Sequence, residues 1–444
     1  MKLWQKERTS ISEKIEDFTI GDDAKWDLKL AKFDVLGSLA HIEMLESIDL
    51  LDKQEFNILS KELKSIFREV QEVGFNIDKG VEDIHSQVEL MLTNRLGEVG
   101  KKIHSGRSRN DQVLVDLKLY MRDQIKELVE TTQLLFEKLT ELSEKHKHIL
   151  IPGYTHLQVA MPSSLGLWFG AYAESLIDDL EILVSAYKVV NRNPLGSAAG
   201  YGSSFPLNRT MTTNLLGFDT LHYNVVYAQM SRGKSEKLVS MAMASIASTL
   251  SRMAMDVCLY MNQNFGLLSF PDELTTGSSI MPHKKNPDVF ELIRGKCNAI
   301  QALPNQISMM TTNLPSGYHR EMQLIKEQFF PSFETLNTCL EMATFMLDNV
   351  YVKDNLLEDE KYKYLFSVEL VNKYVLEGLP FRDAYKKVGE EINSGNFKAD
   401  TNIKHTHEGS IGNLCTNEIK ENFKKVYDLF NFNEYESKIH NLVH

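Results

Sequence analysis

Between Gly277 and Pro287 the chain reads Gly-Ser-Ser-Ile-Met-Pro-His-Lys-Lys-Asn-Pro. Two hydroxyls (Ser278, Ser279), two ammonium groups (Lys284, Lys285) and a carboxamide (Asn286) fall within this short run. Glycine, serine and proline make turns for ordinary structural reasons. Adjacent lysines repel, however, and add nothing to a fold. The combination suits a loop that grips a carboxylate and controls a proton next to it. Glu291 follows one helical turn later, and a carboxylate there can orient a histidine and raise its basicity.

Three further polar segments carry chemistry. Lys102–Gln112 contains His104-Ser105-Gly106-Arg107-Ser108-Arg109-Asn110 at the mouth of a long helical pattern. Free backbone N–H groups and the helix dipole favour an anion there. Ser108 and Asn110 can also cap the helix. Arginines at a helix start fit a carboxylate or a phosphate equally, so this segment alone leaves the ligand open. Pro152-Gly153-Tyr154-Thr155-His156-Leu157-Gln158 sets His156 and Thr155 after a Pro-Gly turn. Tyr318, Gln323 and Lys326 form the fourth group; the last two share a helix face. A structural capping role, a satisfied core histidine and a solvated helix face are the plain alternatives for these three segments.

The elements that must hold these residues are helices. From Asn110 to Ile151 there is neither glycine nor proline, and Leu117, Met121, Ile125, Leu128, Leu135, Leu139 and Leu142 recur at three- and four-residue steps. A helix of about 35 residues would be near 50 Å long, the length of a large bundle helix. Ala171–Val190 and Lys234–Phe265 follow the same pattern. The second carries small residues (Ala242, Ala244, Ser245, Ala247, Ser248, Ser251) that let neighbouring helices approach. Helical patterns resume after Pro287, after Gly317 and across Ser332–Glu377, and no series of alternating strands is evident. The Gly/Pro-rich connector Asn193–Gly202 reads as a loop beside a ligand.

Composition narrows the function classes. The 444 residues are too many for one small core, and 43% hydrophobic with 25% charged residues is ordinary for a globular protein. A net charge of −12 argues against a nucleic-acid partner. Cys258, Cys297, Cys339 and Cys415 lack any Cys-x-x-Cys spacing, which fits free thiols in a reducing compartment. The charged start Met1–Ser10 has no apolar core, so no secretory signal is expected. No run of about 18 apolar residues is free of charge, so no membrane span is expected. Metal-ligand spacing, a Walker loop, a dinucleotide fingerprint and a nucleophile elbow are all missing. The expectation is a cytoplasmic protein working without a metal or cofactor, with boundaries near residues 106 and 355 giving units 1–106, 107–355 and 356–444.

In this order, several segments resemble one known family. Gly277–Asp288 is similar to the loop shared by the fumarase/aspartase superfamily. Lys2-Leu3-Trp4, Asp83-Ile84-His85, His104–Val113, Pro152–Gln158 and the Tyr318–Lys326 spacing resemble its argininosuccinate lyase branch. The match spans residues 1 to about 330. The resemblance implies an all-α, three-domain protomer whose long helices form a homotetrameric bundle, with each active site shared between subunits. It implies reversible anti elimination, without a cofactor, that releases fumarate. Ser278 matches the catalytic base. Lys284 and Asn286 match the positions holding the reacting carboxylate, and His156 with Glu291 matches the family's histidine–glutamate pair. Ser108, Arg109, Asn110, Thr155, Tyr318, Gln323, Lys326, Arg252 and His85 match substrate-binding positions. Departures occur at Arg232-Gly233-Lys234, at Ser86–Leu90, and around Asp23, where a substrate-contacting serine is expected. The usual Gly-Gly-Thr element near the C-terminus is also absent. The departures bear on the amino-acid end of the substrate. A lyase for another succinyl-amine, such as adenylosuccinate, and a non-catalytic protein on the same scaffold, as among lens crystallins, are the competing readings.

Overall fold

The computed structural model describes residues 13–72, 74–78, 80–401, 403 and 405–444. The Lys2-Leu3-Trp4 opening lies outside the described residues. The principal elements are α1 (Ala31–Ser47), α2 (Lys53–Glu72), α3 (Ile84–Leu96), α4 (Arg109–Lys145), the hairpin β1 (Leu150–Thr155) and β2 (Gln158–Ser164), α5 (Leu165–Val190) and α6 (Lys234–Met261). They continue with the short hairpin β3 (Thr276–Gly277) and β4 (Lys285–Asn286), then α7 (Asp288–Met310), α8 (Ile325–Asp348), α9 (Ser367–Leu376), α10 (Phe381–Asn393), α11 (Thr416–Asp428) and α12 (Phe432–Val443). Strands are confined to small two-stranded sheets among the described residues.

α4 runs for 37 residues, about 55 Å at 1.5 Å per residue. Ser108 starts it: its hydroxyl accepts from Asn110 N–H (3.3 Å), and Asp111 accepts from Ser108 N–H (2.7 Å). The second oxygen of Asp111 accepts from Gly196 and Ala198 N–H, both at 2.9 Å, so the connector after α5 is fastened to the start of α4. Gly106 just upstream has φ +78°, and a Cβ there would sit 2.8 Å from Leu207. The positive φ favours glycine there.

α6 is the hub and packs on α5, α7 and α8. Ala242, Ala247, Leu250, Met253 and Ala254 are fully or almost fully buried. By length and composition α6 would pass for a membrane span, yet half of its most apolar stretch is buried in the bundle. It also carries the buried Glu236 at its start, so its apolarity belongs to the core. One core joins α1 through α8 with α11 and α12, and a small separate core sits between α9 and α10.

The structure departs from the sequence reading in three local ways. The expected helical stretch Ser332–Glu377 is interrupted after Asp348 by a strand (Tyr351–Val352) and 3-10 turns before α9 begins. The Pro152-Gly153 pair lies inside β1 at a register shift. The turn is instead made by His156 and Leu157, with φ +53° and +59° between the paired residues Thr155 and Gln158. Two successive positive φ values match the twist of a tight hairpin, which is why the chain accepts them in non-glycine residues.

Candidate active site

A pocket of about 400 Å³ opens at the N-terminal end of α4. Seven of the sequence-predicted residues line it: His85, Ser108, Arg109, Asn110, Tyr318, Gln323 and Lys326. They come from the start of α3, the start of α4 and the 3-10 turn Arg320–Leu324 leading into α8. Gln323 and Lys326 meet the same cavity although the 3-10 turn intervenes. Asp23, Asp27, Glu82, Asp83, His104, Arg232 and Arg320 complete its polar lining. None of these is among the predicted site residues, although Asp23 stands where a substrate-contacting serine is expected and Arg232 lies in a departure from the family pattern.

Every cation in this wall has a carboxylate partner. Arg109 bridges Glu82 (3.0 Å) and Asp83, and Asp83 also caps α3 through Ser86 N–H (2.9 Å). Arg320 lies 3.4 Å from Glu82 and donates to Thr19 O at 2.9 Å. Lys326 lies between Asp23 (2.7 Å) and Asp27. Arg232 donates to Met322 O (2.9 Å) and lies 3.0 Å from Glu236. Gly233, with φ +75° and a would-be Cβ 2.7 Å from Thr311, makes the turn that places Arg232 ahead of α6. The Arg232-Gly233-Lys234 departure therefore stands in the pocket wall.

Behind the pocket lies a buried carboxylate–imidazole cluster. His85 Nδ1 is 2.6 Å from Asp34 and 3.5 Å from Asp116. Burial alone would lower the His85 pKa, but the Asp34 charge and hydrogen bond, with Asp116, reverse this and raise it. Burial and the neighbouring Asp34 push the Asp116 carboxyl well above the usual carboxylate range. The donor set Asp34, His85 and Asp116 could ligate a cation by type. The short His85–Asp34 hydrogen bond uses one oxygen of Asp34, while its second oxygen and both Asp116 oxygens make no hydrogen bond. These residues are scattered over three helices, so sequence spacing gave no sign of the cluster. Arg107, expected beside Arg109 at the ligand, turns inward and donates to Ser38 (3.0 Å).

The other predicted residues are elsewhere. Thr155 and His156 sit at the exposed tip of the β1–β2 hairpin, beyond the C-terminal end of α4. Tyr154 of that hairpin packs edge-on against Phe265 (5.3 Å), just past the end of α6. The Ser278 loop follows on from there, so both lie at the bundle end opposite the pocket. β3 and β4 pair Thr276 with Asn286 and Gly277 with Lys285, which pinches residues 278–284 into a projecting loop. The Ser278 hydroxyl accepts from Ile280 N–H (3.3 Å) and Met281 N–H (3.2 Å). Asn286 donates to Thr276 Oγ1 (3.2 Å), Lys285 pairs with Asp272, and Lys284 is exposed. Glu291 in the first turn of α7 and Arg252 on α6 are exposed on the same half of the bundle. Among the described residues no hydrogen bond or ion pair joins His156 to Glu291. The connector Asn193–Gly202 borders the pocket, with Tyr201 Oη 3.4 Å from the Cβ position of Gly317, but does not line it.

The architecture is an all-α long-helix bundle with clusters of charged and hydroxyl side chains at its two ends, and comparison with known proteins places it among the lyases. The family model described as Lyase matches residues 11–302. The argininosuccinate lyase of Bacteroides thetaiotaomicron is 61% identical over 97% of this chain and 96% of its own length. That of Parabacteroides distasonis is 60% identical over 99% of each. The crystal structure of an EDDS lyase in complex with formate shares the fold, with a TM-score of 0.75 at 20% identity over 98% of this chain and 94% of that one. The chain belongs to the argininosuccinate lyase family.

Proposed function

We propose that this lyase catalyses the reversible anti elimination of argininosuccinate to arginine and fumarate, as a cytoplasmic homotetramer. The observation that carries the reading is the division of charge between the two bundle ends. The Ser278 loop presents Lys284 with no acid between Gly277 and Pro287, Lys285 being paired with Asp272, which suits the dicarboxylate succinyl half. The pocket at the start of α4 carries cations matched by carboxylates, which suits a zwitterionic amino-acid half. A chain 60–61% identical to argininosuccinate lyases over nearly its whole length supports the same substrate.

The chemistry follows from the groups. A proton leaves the carbon next to a carboxylate, negative charge builds on that carboxylate, and the C–N bond then breaks. Lys284 and Asn286 hold the carboxylate and stabilise the added charge. Ser278 takes the proton. A hydroxyl is a weak base unless its alkoxide is favoured, and two backbone N–H groups already point at this oxygen. His156 and Glu291 form their pair across a subunit boundary and handle the proton of the departing guanidinium. Ser108, Arg109, Asn110, Thr155, Tyr318, Gln323 and Lys326 hold the remainder of the substrate, with Arg252 and His85 beside them.

Purified protein should release fumarate from argininosuccinate and not from adenylosuccinate in parallel assays. No fumarate from argininosuccinate sinks the reading.

A further inference from the structure

The tip of the β1–β2 hairpin is strained and stands clear of the protein. His156 and Leu157 hold φ values of +53° and +59° without the glycine or asparagine that tolerates them, and residues 155–159 are all exposed. A strained conformation persists only where its surroundings over-determine it, so the hold comes from the base of the hairpin. Gly153 lets the two strands close, since a Cβ there would sit 2.8 Å from Met161 O. Tyr154 then fastens the hairpin to the body of the protein. Its ring packs edge-on against Phe265 (5.3 Å), and its hydroxyl lies 3.5 Å from the Tyr362 hydroxyl. Tyr362 is buried in the 3-10 turn Glu360–Phe366, where it shares a small core with Leu365 and Phe366. Asp359 starts that turn by accepting from Lys361 N–H (3.1 Å), and Lys361 donates to Asn264 O (3.4 Å), one residue before Phe265. The two surfaces that grip Tyr154 are therefore clipped to each other.

We propose that Tyr362 is a positioning residue for the elimination: through Tyr154 it fixes where His156 stands. His156 lies two residues past the last anchored side chain, so a hairpin that rocks at Tyr154 carries the imidazole with it. The segment after α8 contains no predicted site residue, yet in this way it acts on the chemistry. The assignment rests on the proposed role of His156.

The test is a double-mutant cycle in the argininosuccinate assay, with the assembly of each variant checked by size-exclusion chromatography. Tyr362→Leu keeps the position apolar and removes the ring that meets Tyr154. Its kcat should fall by about 10- to 100-fold, the cost of a displaced catalytic group. KM should change by no more than about threefold, because the pocket lies at the other end of the bundle. Tyr362→Phe keeps the ring and should hold kcat to within about fivefold of wild type, the scale of one hydroxyl contact. His156→Asn removes the imidazole and suits the left-handed backbone at that position. In that background Tyr362→Leu should cost no further activity. Losses that multiply overturn the assignment, because Tyr362 would then act on the fold and not through His156. An assembled Tyr362→Leu protein with wild-type kcat overturns it too. If Tyr362→Leu does not assemble, Tyr362→Phe takes its place in the cycle, and the assignment fails unless its loss is measurable and vanishes beside His156→Asn. An unimpaired His156→Asn protein refutes the role given to His156, and this assignment with it, whereas multiplying losses leave that role standing.

Discussion

Ser278 is the residue proposed as the base of the elimination, and its surroundings fit that proposal. Two backbone N–H groups within 3.3 Å would stabilise its alkoxide, and the loop holds no acid to oppose them. Ser278→Ala removes the base without disturbing any buried contact. Turnover should fall by about 10²- to 10⁴-fold, the usual range for general base catalysis, with assembly unchanged by size-exclusion chromatography. Activity within a few-fold of wild type would move the base elsewhere. This loop was legible in the sequence because its groups are contiguous. Asp23 stood out only as a departure from the family, because its partner Lys326 lies about 300 positions away. Glu82 was hidden for the same reason, its partners being Arg109 and the distant Arg320.

At the scale of elements, periodicity located the long helices but not what their buried faces contain. α4 buries Asp116, Lys118 and Arg122 completely or almost so, alongside the leucines that mark it as a helix. Lys118 donates to Ser235 Oγ at 2.6 Å and to Val189 O at 3.4 Å. Burial lowers its pKa to about 7 from 10.5, with Glu236 opposing. The folded protein then binds fewer protons at this site than the unfolded chain between those two values. Stability should therefore rise with pH across that window, and the cost of the buried charge is felt in full only below pH 7. The rise should amount to a few kcal/mol, roughly, given about 1.4 kcal/mol per pKa unit. Urea unfolding at fixed protein concentration should show this slope in wild type and its loss in Lys118→Met. Equal slopes in the two proteins would refute the argument. The β1–β2 hairpin escaped the periodicity reading for a different reason. Its turn uses His156 and Leu157 at positive φ, where glycine or asparagine would have signalled it.

At the scale of the whole molecule, α4 sets the problem that the proposed assembly would solve. It separates the pocket at one end of the bundle from the hairpin carrying His156 at the other, by about 55 Å. On the proposed roles, a single chain cannot bring Ser278 to a substrate held by Asn110 and Gln323. Symmetric association of long bundles can, since an antiparallel neighbour sets one chain's Ser278 end beside another's pocket. Sequence alone placed these segments far apart, and only the helix length and direction reveal that they lie at opposite ends. The consequence is complementation between defective chains. Ser278→Ala chains keep an intact pocket, and chains carrying both Asn110→Ala and Gln323→Ala keep an intact loop. Each assembly alone should be nearly inactive. After dissociation and equal mixing, random assortment pairs an intact pocket with an intact loop at about one site in four. Turnover should recover toward that fraction of wild type, with mixed oligomers confirmed by differential tagging and co-purification. If mixed oligomers form and activity stays at the level of the parents, each site is built within one chain and the shared-site assembly is wrong.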